Sequence, residues 1–247
     1  MNNLTNHKKV IAILPAYNAS KTLKETWDAI PREWVDDVIL VDDASKDTTA
    51  EVSRSLGIRT IVHERNIGYG GNQKTCYRSA LERGADVVVM LHPDYQYDPR
   101  LLTALCSMIV DGPYDVVIAS RITGQIQTSN MPFWKFAANR FLTLFQNILL
   151  GTRMSEYHTG YRAFARKVLE SIPLESNSED FIFDNEIIAQ IRMKGFAVGE
   201  ISCPAKYFAE ASSINFRRSV RYGFGVLRVS LLYRLHKWGV ISSRLFT

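Results

Sequence analysis

The sequence predicts an α/β fold with a mostly parallel central sheet and helices on both faces, and three observations carry that prediction. Short β-branched or apolar runs recur from the N-terminus, each bounded by turn residues. Segments with helical spacing separate them, so strand and helix alternate. The chain has 247 residues, 46% of them apolar, enough for a sizeable core, and a single domain over residues 1–247 is expected.

The predicted strands are 10–14, 38–41, 60–62, 87–91 and 116–119. Helices are expected at 23–30 after Ser20, at 48–56 with Thr48 and Glu51 as a capping box, at 73–82, and at 101–109 after Pro99. After Ser120 the alternation weakens. A long amphipathic helix is expected at about 133–150, a polar loop through Glu156 and Gly160, a helix at 184–194, a last strand at 198–203 and a C-terminal helix from about 216. No internal repeat or linker-like tract marks a second domain.

Composition narrows the classes. Thirty Lys and Arg against 25 Asp and Glu leave a net charge of +5, which suits an anionic substrate or an anionic membrane surface. Aromatic residues do not interleave with a basic patch, so a nucleic-acid module is not expected. Cys76, Cys106 and Cys203 are far apart and lack metal or redox spacing, and they read as reduced core thiols. The polar N-terminus lacks the apolar segment of a signal peptide. The most apolar stretch, 133–150, contains Lys135 and Arg140 and falls short of the roughly 20 apolar residues a membrane span needs.

In parallel sheets of this kind ligands bind beyond the C-terminal strand ends. Three of the first four predicted strands run there into polar turns: Pro15-Ala16-Tyr17-Asn18, Asp42-Asp43-Ala44-Ser45 and His92-Pro93-Asp94-Tyr95-Gln96. One such pair as Asp42 and Asp43 is ordinary strand capping; three polar ends together point to a nucleotide. Gly68, Gly70 and Gly71 before a helix would let backbone N–H groups approach a phosphate, with Lys74 in reach of a diphosphate.

The segments ILPAYN, ILVDDASKDTT, NIGYGGNQKT, VVVMLHPDYQYDP, DVVIASR, EYHTGYRAF and YFAEASSINF together resemble glycosyltransferase family 2, and within it the polyprenyl-phosphate sugar synthases similar to dolichyl-phosphate mannose synthase. The resemblance implies the GT-A nucleotide-diphospho-sugar transferase fold, with a nucleotide-sugar half at 1–120, an acceptor half at 121–215 and the amphipathic C-terminal helix at 216–247. It implies that Pro15, Tyr17, Asp42 and Asp43 hold base and ribose. An acidic residue often follows Tyr-Asn in the family, where this chain has Ala19.

The resemblance also implies a divalent metal, Mn or Mg, held by an Asp-x-Asp motif after the fourth strand. Here the motif reads His92-Pro93-Asp94. Asp94 is the retained acid, Gln96 matches a metal-assisting position, and His92 is a ligand, a ribose contact or a spacer; imidazole accepts Mn more readily than Mg.

On the acceptor side, Arg121 and Arg140 are candidates to hold an acceptor phosphate or the leaving diphosphate, Arg140 also reading as plain surface charge. Glu156, His158 and Arg162 match the segment lining the family's acceptor cleft. Glu179, Asp180, Asp184 and Glu186 cluster at a helix start, where the dipole alone favours acids; Asp180 is the candidate base if a hydroxyl is the acceptor. A family Arg near the last strand corresponds to Lys206. Phe216, Val220, Phe224, Leu227, Leu231 and Leu235 make an apolar stripe beside Arg217, Arg221 and Arg228, fitting either a core helix or one lying on an anionic membrane.

The expectation is an inverting, metal-dependent transfer from a UDP- or GDP-sugar to a polyprenyl phosphate, by a peripheral protein on the cytoplasmic membrane face. A second copy of the chain or a membrane protein is compatible as partner. The alternatives are transfer to a saccharide hydroxyl and a non-catalytic nucleotide-sugar-binding subunit.

Overall fold

The computed structural model describes residues 8–123, 133–204 and 216–247. Its centre is a seven-stranded sheet of order β3-β2-β1-β4-β6-β5-β7, with β1 Val10–Ala16, β2 Asp37–Asp42, β3 Arg59–Val62, β4 Val87–Met90, β5 Val116–Ser120, β6 Arg162–Ala165 and β7 Val198–Ser202. β1 is parallel to both β2 and β4, and β5 is parallel to β7. Only β6 runs against its neighbours, β4 and β5.

The helices are α1 Leu23–Ala29, α2 Thr49–Ser55, α3 Tyr69–Glu82, α4 Leu102–Val110, α5 Phe133–Leu150, α6 Arg166–Ser171, α7 Phe183–Lys194 and α8 Phe216–Lys237. Alternate strand residues feed two cores, one on each face. Ile11, Ile13, Val88 and Met90 pack with residues of α3, α6, α7 and α8. Val10, Ala12, Leu14 and Val89 pack with Leu23 of α1 and Leu102, Leu105 and Cys106 of α4. All three cysteines are free and buried, as expected. No helix among the described residues is long and apolar enough to cross a membrane.

The loop through Glu156 and Gly160 is present and runs into β6 and then α6, two elements too short to give a clear period. Two local expectations are corrected. The Thr48 side chain makes no cap bond; Asp47 takes the Thr49 N–H at 3.0 Å instead. α3 begins at Tyr69, so Gly70 and Gly71 lie inside its first turn. On α8 the core face is Val226, Val229, Ser230 and Tyr233, while Val220, Phe224 and Leu231 of the predicted stripe are exposed. Lys206 lies outside the described residues, as does the Phe216 side chain.

Candidate active site

The turns after β1, β2 and β4 converge on one cleft. Among the described residues, the non-glycine positions with left-handed backbone are Asn18, Ala44 and Tyr95, at φ of 53°, 56° and 55°, one in each of these turns. Such conformations persist only where surrounding bonds hold them, and they gather at functional sites. Asn18 N–H donates to Ser45 Oγ at 2.8 Å and Asn18 Oδ1 accepts Lys46 N–H at 2.8 Å, which ties the first turn to the second. Gln96 N–H donates to Asp94 Oδ1 at 3.1 Å across the third.

The resulting cavity of about 660 Å³ is lined by Pro15, Tyr17, Asp43, Asn66, Asp94 and Asp180, among others. Tyr17 stands half-exposed at its wall. A second cavity of about 260 Å³ is lined by Gln96, Arg121, Lys135, His158 and Tyr222. Tyr69, His92, Asp94 and Phe181 line both cavities, so Asp94 stands where the two meet.

Several expected residues take other parts. Asp42 does not line the cleft: its carboxylate accepts the Ser45 hydroxyl and, at 3.2 Å, the Ser45 N–H, bracing its own turn. Asp43 does line it, yet its oxygens accept Ile67 N–H at 2.9 Å and Gly68 N–H at 3.1 Å and contact His63 Nδ1 at 2.8 Å. It therefore staples the loop that leads into α3.

The glycine expectation is corrected. Gly70 N–H donates to Glu179 O at 2.8 Å, and a Cβ at Gly70 would stand 2.1 Å from Ser178 O. These glycines let the 178–180 loop seat on the start of α3; the Gly68 and Gly70 donors are already engaged. Lys74 is buried away from the cleft and donates to Asn177 O at 2.6 Å and Glu179 Oε1 at 2.7 Å, holding the same loop from below. Close packing of loop on helix gives the same sequence signature as a phosphate cradle, which is why sequence could not separate them.

Arg121 lines the smaller cavity and is tied to Glu156: its Nη2 and Nε grip Oε1, the latter at 2.9 Å, and its N–H reaches Oε2 at 2.8 Å. Burial alone would raise the Glu156 carboxyl, but the Arg121 charge and hydrogen bonds hold it below its ordinary range. Arg140 does not line the cavity; its Nη1 donates to Ser155 O at 2.8 Å on the exposed side of α5. Lys135, five residues earlier, does line it. Asp180 lines the larger cavity, with one carboxylate oxygen accepting Phe181 N–H at 2.8 Å.

A buried polar chain lies behind the junction. Arg162 Nη1 donates to Asp184 O at 2.9 Å and pairs with Asp184 Oδ1 at 3.3 Å. Asp184 also accepts Gln73 Nε2 at 3.1 Å and the Tyr69 hydroxyl at 2.8 Å. Burial, then the Asp184 charge, holds the Tyr69 hydroxyl well above its ordinary pKa, so it keeps its proton. Burial pushes His158 down to about 4, leaving it neutral near pH 7; its Nδ1 meets the Tyr222 hydroxyl at 2.9 Å. Sequence reading missed Tyr69, Phe181, Lys135 and Tyr222 as site residues, and Arg218, which belongs to the basic face of α8, also lines the larger cavity. Tyr69 lies inside NIGYGGNQKT, while the others come from remote elements without a motif.

The donor set suits a hard divalent ion. His92 and Asp94 line both cavities and Gln96 lines the smaller one; among the described residues no group of three or more His, Cys, Asp or Glu could hold a metal alone, so an ion there would need water and phosphate oxygens as further ligands. His92 is seated by Gly160, where any Cβ would lie 2.3 Å from its Nε2. The cradle is thus built around an imidazole.

Comparison with known proteins gives the family and the fold. Residues 11–172 match the family described as Glycosyl transferase family 2. A UDP-N-acetylglucosamine–dolichyl-phosphate N-acetylglucosaminyltransferase from Methanococcus voltae is 26% identical over 93% of this chain and 98% of its own length. A dolichyl-phosphate hexose transferase from Haloferax volcanii is 30% identical over 78% and 81%. In fold, the chain is similar to glucosyl-3-phosphoglycerate synthase from Mycobacterium tuberculosis in complex with UDP, with a TM-score of 0.73 at 17% identity over 96% of this chain and 83% of that one. The same enzyme with Mn²⁺, UDP and phosphoglyceric acid gives 0.69 at 16% identity, covering 93% and 79%. With the mixed sheet, the strand-end cleft and these matches in agreement, the chain belongs to glycosyl transferase family 2 and is a glycosyltransferase of the GT-A fold.

Proposed function

We propose that this enzyme transfers a sugar, with inversion, from a UDP- or GDP-sugar to the phosphate of a polyprenyl phosphate, working peripherally at the cytoplasmic face of a membrane. One observation carries the reading. The smaller cavity is walled by α5 and α8, and these two helices leave large apolar side chains in solvent. Phe141, Leu144 and Ile148 on α5 are 59%, 60% and 64% exposed, and Phe224 on α8 is 69% exposed.

A helix pair that only closed a core would bury such residues. On α5 they recur at helical spacing on one face, with Arg140, Arg217, Arg221 and Arg228 also at the surface. Apolar insertion flanked by arginines is the pattern of a helix lying in an anionic lipid interface. An acceptor cavity framed by that surface suits a phosphate carried on a lipid chain, and it agrees with the lipid-phosphate acceptors named for the relatives.

The larger cavity would hold the donor, with Pro15 and Tyr17 beside the base and Asp43 fixing the wall. Asp94, with His92 and Gln96, would hold the cation. When bound, Mn or Mg would neutralise charge on the departing diphosphate. Lys135 and Arg121 on the acceptor side supply positive charge where an anionic phosphate oxygen must approach the sugar carbon. That oxygen needs no base. A saccharide hydroxyl would need one, and the single observation favouring that second reading is that the Asp180 carboxylate lines the donor cavity.

The test is transfer of radiolabelled sugar from UDP- and GDP-sugars into polyprenyl phosphate in mixed micelles, with an oligosaccharide offered in parallel. Label in the organic phase is expected. Label in the oligosaccharide and none in the lipid would overturn the acceptor and leave the family standing.

A further inference from the structure

We propose that His92 is a metal ligand through Nδ1, in a tautomer that the chain itself fixes. The proposal deepens the metal-dependent reading above and rests on it. Tyr69 Oη lies 3.2 Å from His92 Nε2 and donates its own proton to Asp184 Oδ2 at 2.8 Å. A carboxylate accepts only, and a hydroxyl has one proton to give. The contact to His92 must then be Nε2–H donating to Tyr69 Oη. A ring that gives its Nε2 proton in this way has Nδ1 as the atom that can bind a metal.

Nδ1 has no hydrogen-bond partner among the described residues, and it is absent from the buried polar atoms that lack one. His92 lines both cavities, two residues from Asp94. A lone pair open to the place where the donor and acceptor cavities meet is therefore what replaces a carboxylate oxygen in the motif. The ring is held on its other side as metal-bound imidazoles are, with its N–H given to an acceptor backed by a carboxylate. Gly160 leaves room for Nε2, Tyr69 stacks at 5.6 Å between centroids, and Asp184 is itself held by Arg162 and Gln73. A spacer would need none of this support.

The consequence is ion choice. Exchanging one carboxylate for a neutral nitrogen ligand removes a negative charge and moves the site away from Mg²⁺ towards Mn²⁺. The experiment uses the full chain with MnCl₂ or MgCl₂ and either UDP or GDP. Pulsed electron paramagnetic resonance on the Mn²⁺–nucleotide complex should show a directly bound imidazole nitrogen, and the coupling should change isotope pattern when the protein carries ¹⁵N-histidine. This reading needs no variant to fold.

By calorimetry, the parent should bind the nucleotide with Mn²⁺ at least ~10-fold more tightly than with Mg²⁺. His92→Asp should lose the nitrogen coupling and narrow that preference. Tyr69→Phe should weaken Mn²⁺ binding about 10-fold, because the imidazole loses the acceptor that orients it. Metal-dependent nucleotide binding without nitrogen coupling would overturn the assignment of His92 while the metal reading stood. Nucleotide binding indifferent to both ions would overturn the two together.

Discussion

The two cavities are built in contrasting ways. The larger cavity, which the proposal gives to the donor, is made of short turns at parallel strand ends, each tied to the next by backbone and side-chain hydrogen bonds, with three residues held in left-handed backbone. The smaller cavity, which the proposal gives to the acceptor, is walled by two long helices and by the 156–160 segment, whose fully buried Glu156 pairs with Arg121. Many local bonds hold the first. The second faces outward, with apolar residues that the protein alone does not cover. The difference teaches that donor recognition and acceptor delivery rest on separable physics, so substitutions should affect one and spare the other.

The largest expected effect is at the junction. Asp94→Ala removes the one acid among the described residues that lines both cavities, and loss of several kcal/mol of charge stabilisation should lower kcat by about 10³-fold. Steady-state transfer at saturating donor checks it; near-parental turnover would remove Asp94 from the chemistry. Next is Gly70→Ala, which drives a Cβ to 2.1 Å from Ser178 O. Because backbone cannot yield like a flexible side chain, a loss of about 3 kcal/mol is expected, read by denaturant unfolding. Unchanged stability would argue that the 178–180 loop is not seated on α3 as described.

A smaller effect separates the halves on the acceptor side. Arg217→Glu with Arg221→Glu should weaken binding to anionic vesicles, each original charge contributing about 1 kcal/mol, while nucleotide affinity stays as in the parent. Equal co-sedimentation of variant and parent would break the comparison.

The smallest effect is pH dependence. His158 in the folded protein sits at about 4, below its unfolded value of about 6.5. The unfolded chain therefore binds more protons between those values, and stability should fall as pH drops from about 6.5 to about 4. Glu156, held below its ordinary pKa, adds a loss in the same direction at lower pH. Thermal melting across this range should show the slope, and His158→Gln should remove its upper part. A flat profile would contradict a neutral His158.

The same contrast explains what was legible in sequence. The strands and helices to 120 were readable because each is a local run with its own boundary residues, and the polar strand ends marked the larger cavity. β6 was not readable: it is four residues long, and it forms because β4 and β5 present two edges to it. Lys74 and the glycines were misplaced because their partner, the 175–179 segment, lies about a hundred residues away in sequence. The helical period of α8 was correct, but a period does not say which side is covered. Val226 and Tyr233 face the core, whereas the better-marked stripe faces out. Lys135 and Tyr222 reach the acceptor cavity through packing that no motif records.

The central claim is that the outer face of α5 and α8 delivers a lipid-borne acceptor to a donor site that works independently of it. The most direct measurement compares parent and a Phe141→Ser, Leu144→Ser, Ile148→Ser variant for nucleotide binding, for transfer to long-chain polyprenyl phosphate in anionic vesicles, and for transfer to a short, soluble isoprenyl phosphate. Removing three apolar anchors of roughly 1.5–3 kcal/mol each should lower transfer in vesicles by at least ~100-fold. Nucleotide affinity and transfer to the short acceptor should change less than about threefold, since neither uses the membrane. Equal loss with both acceptors, or full activity in vesicles, would contradict the account.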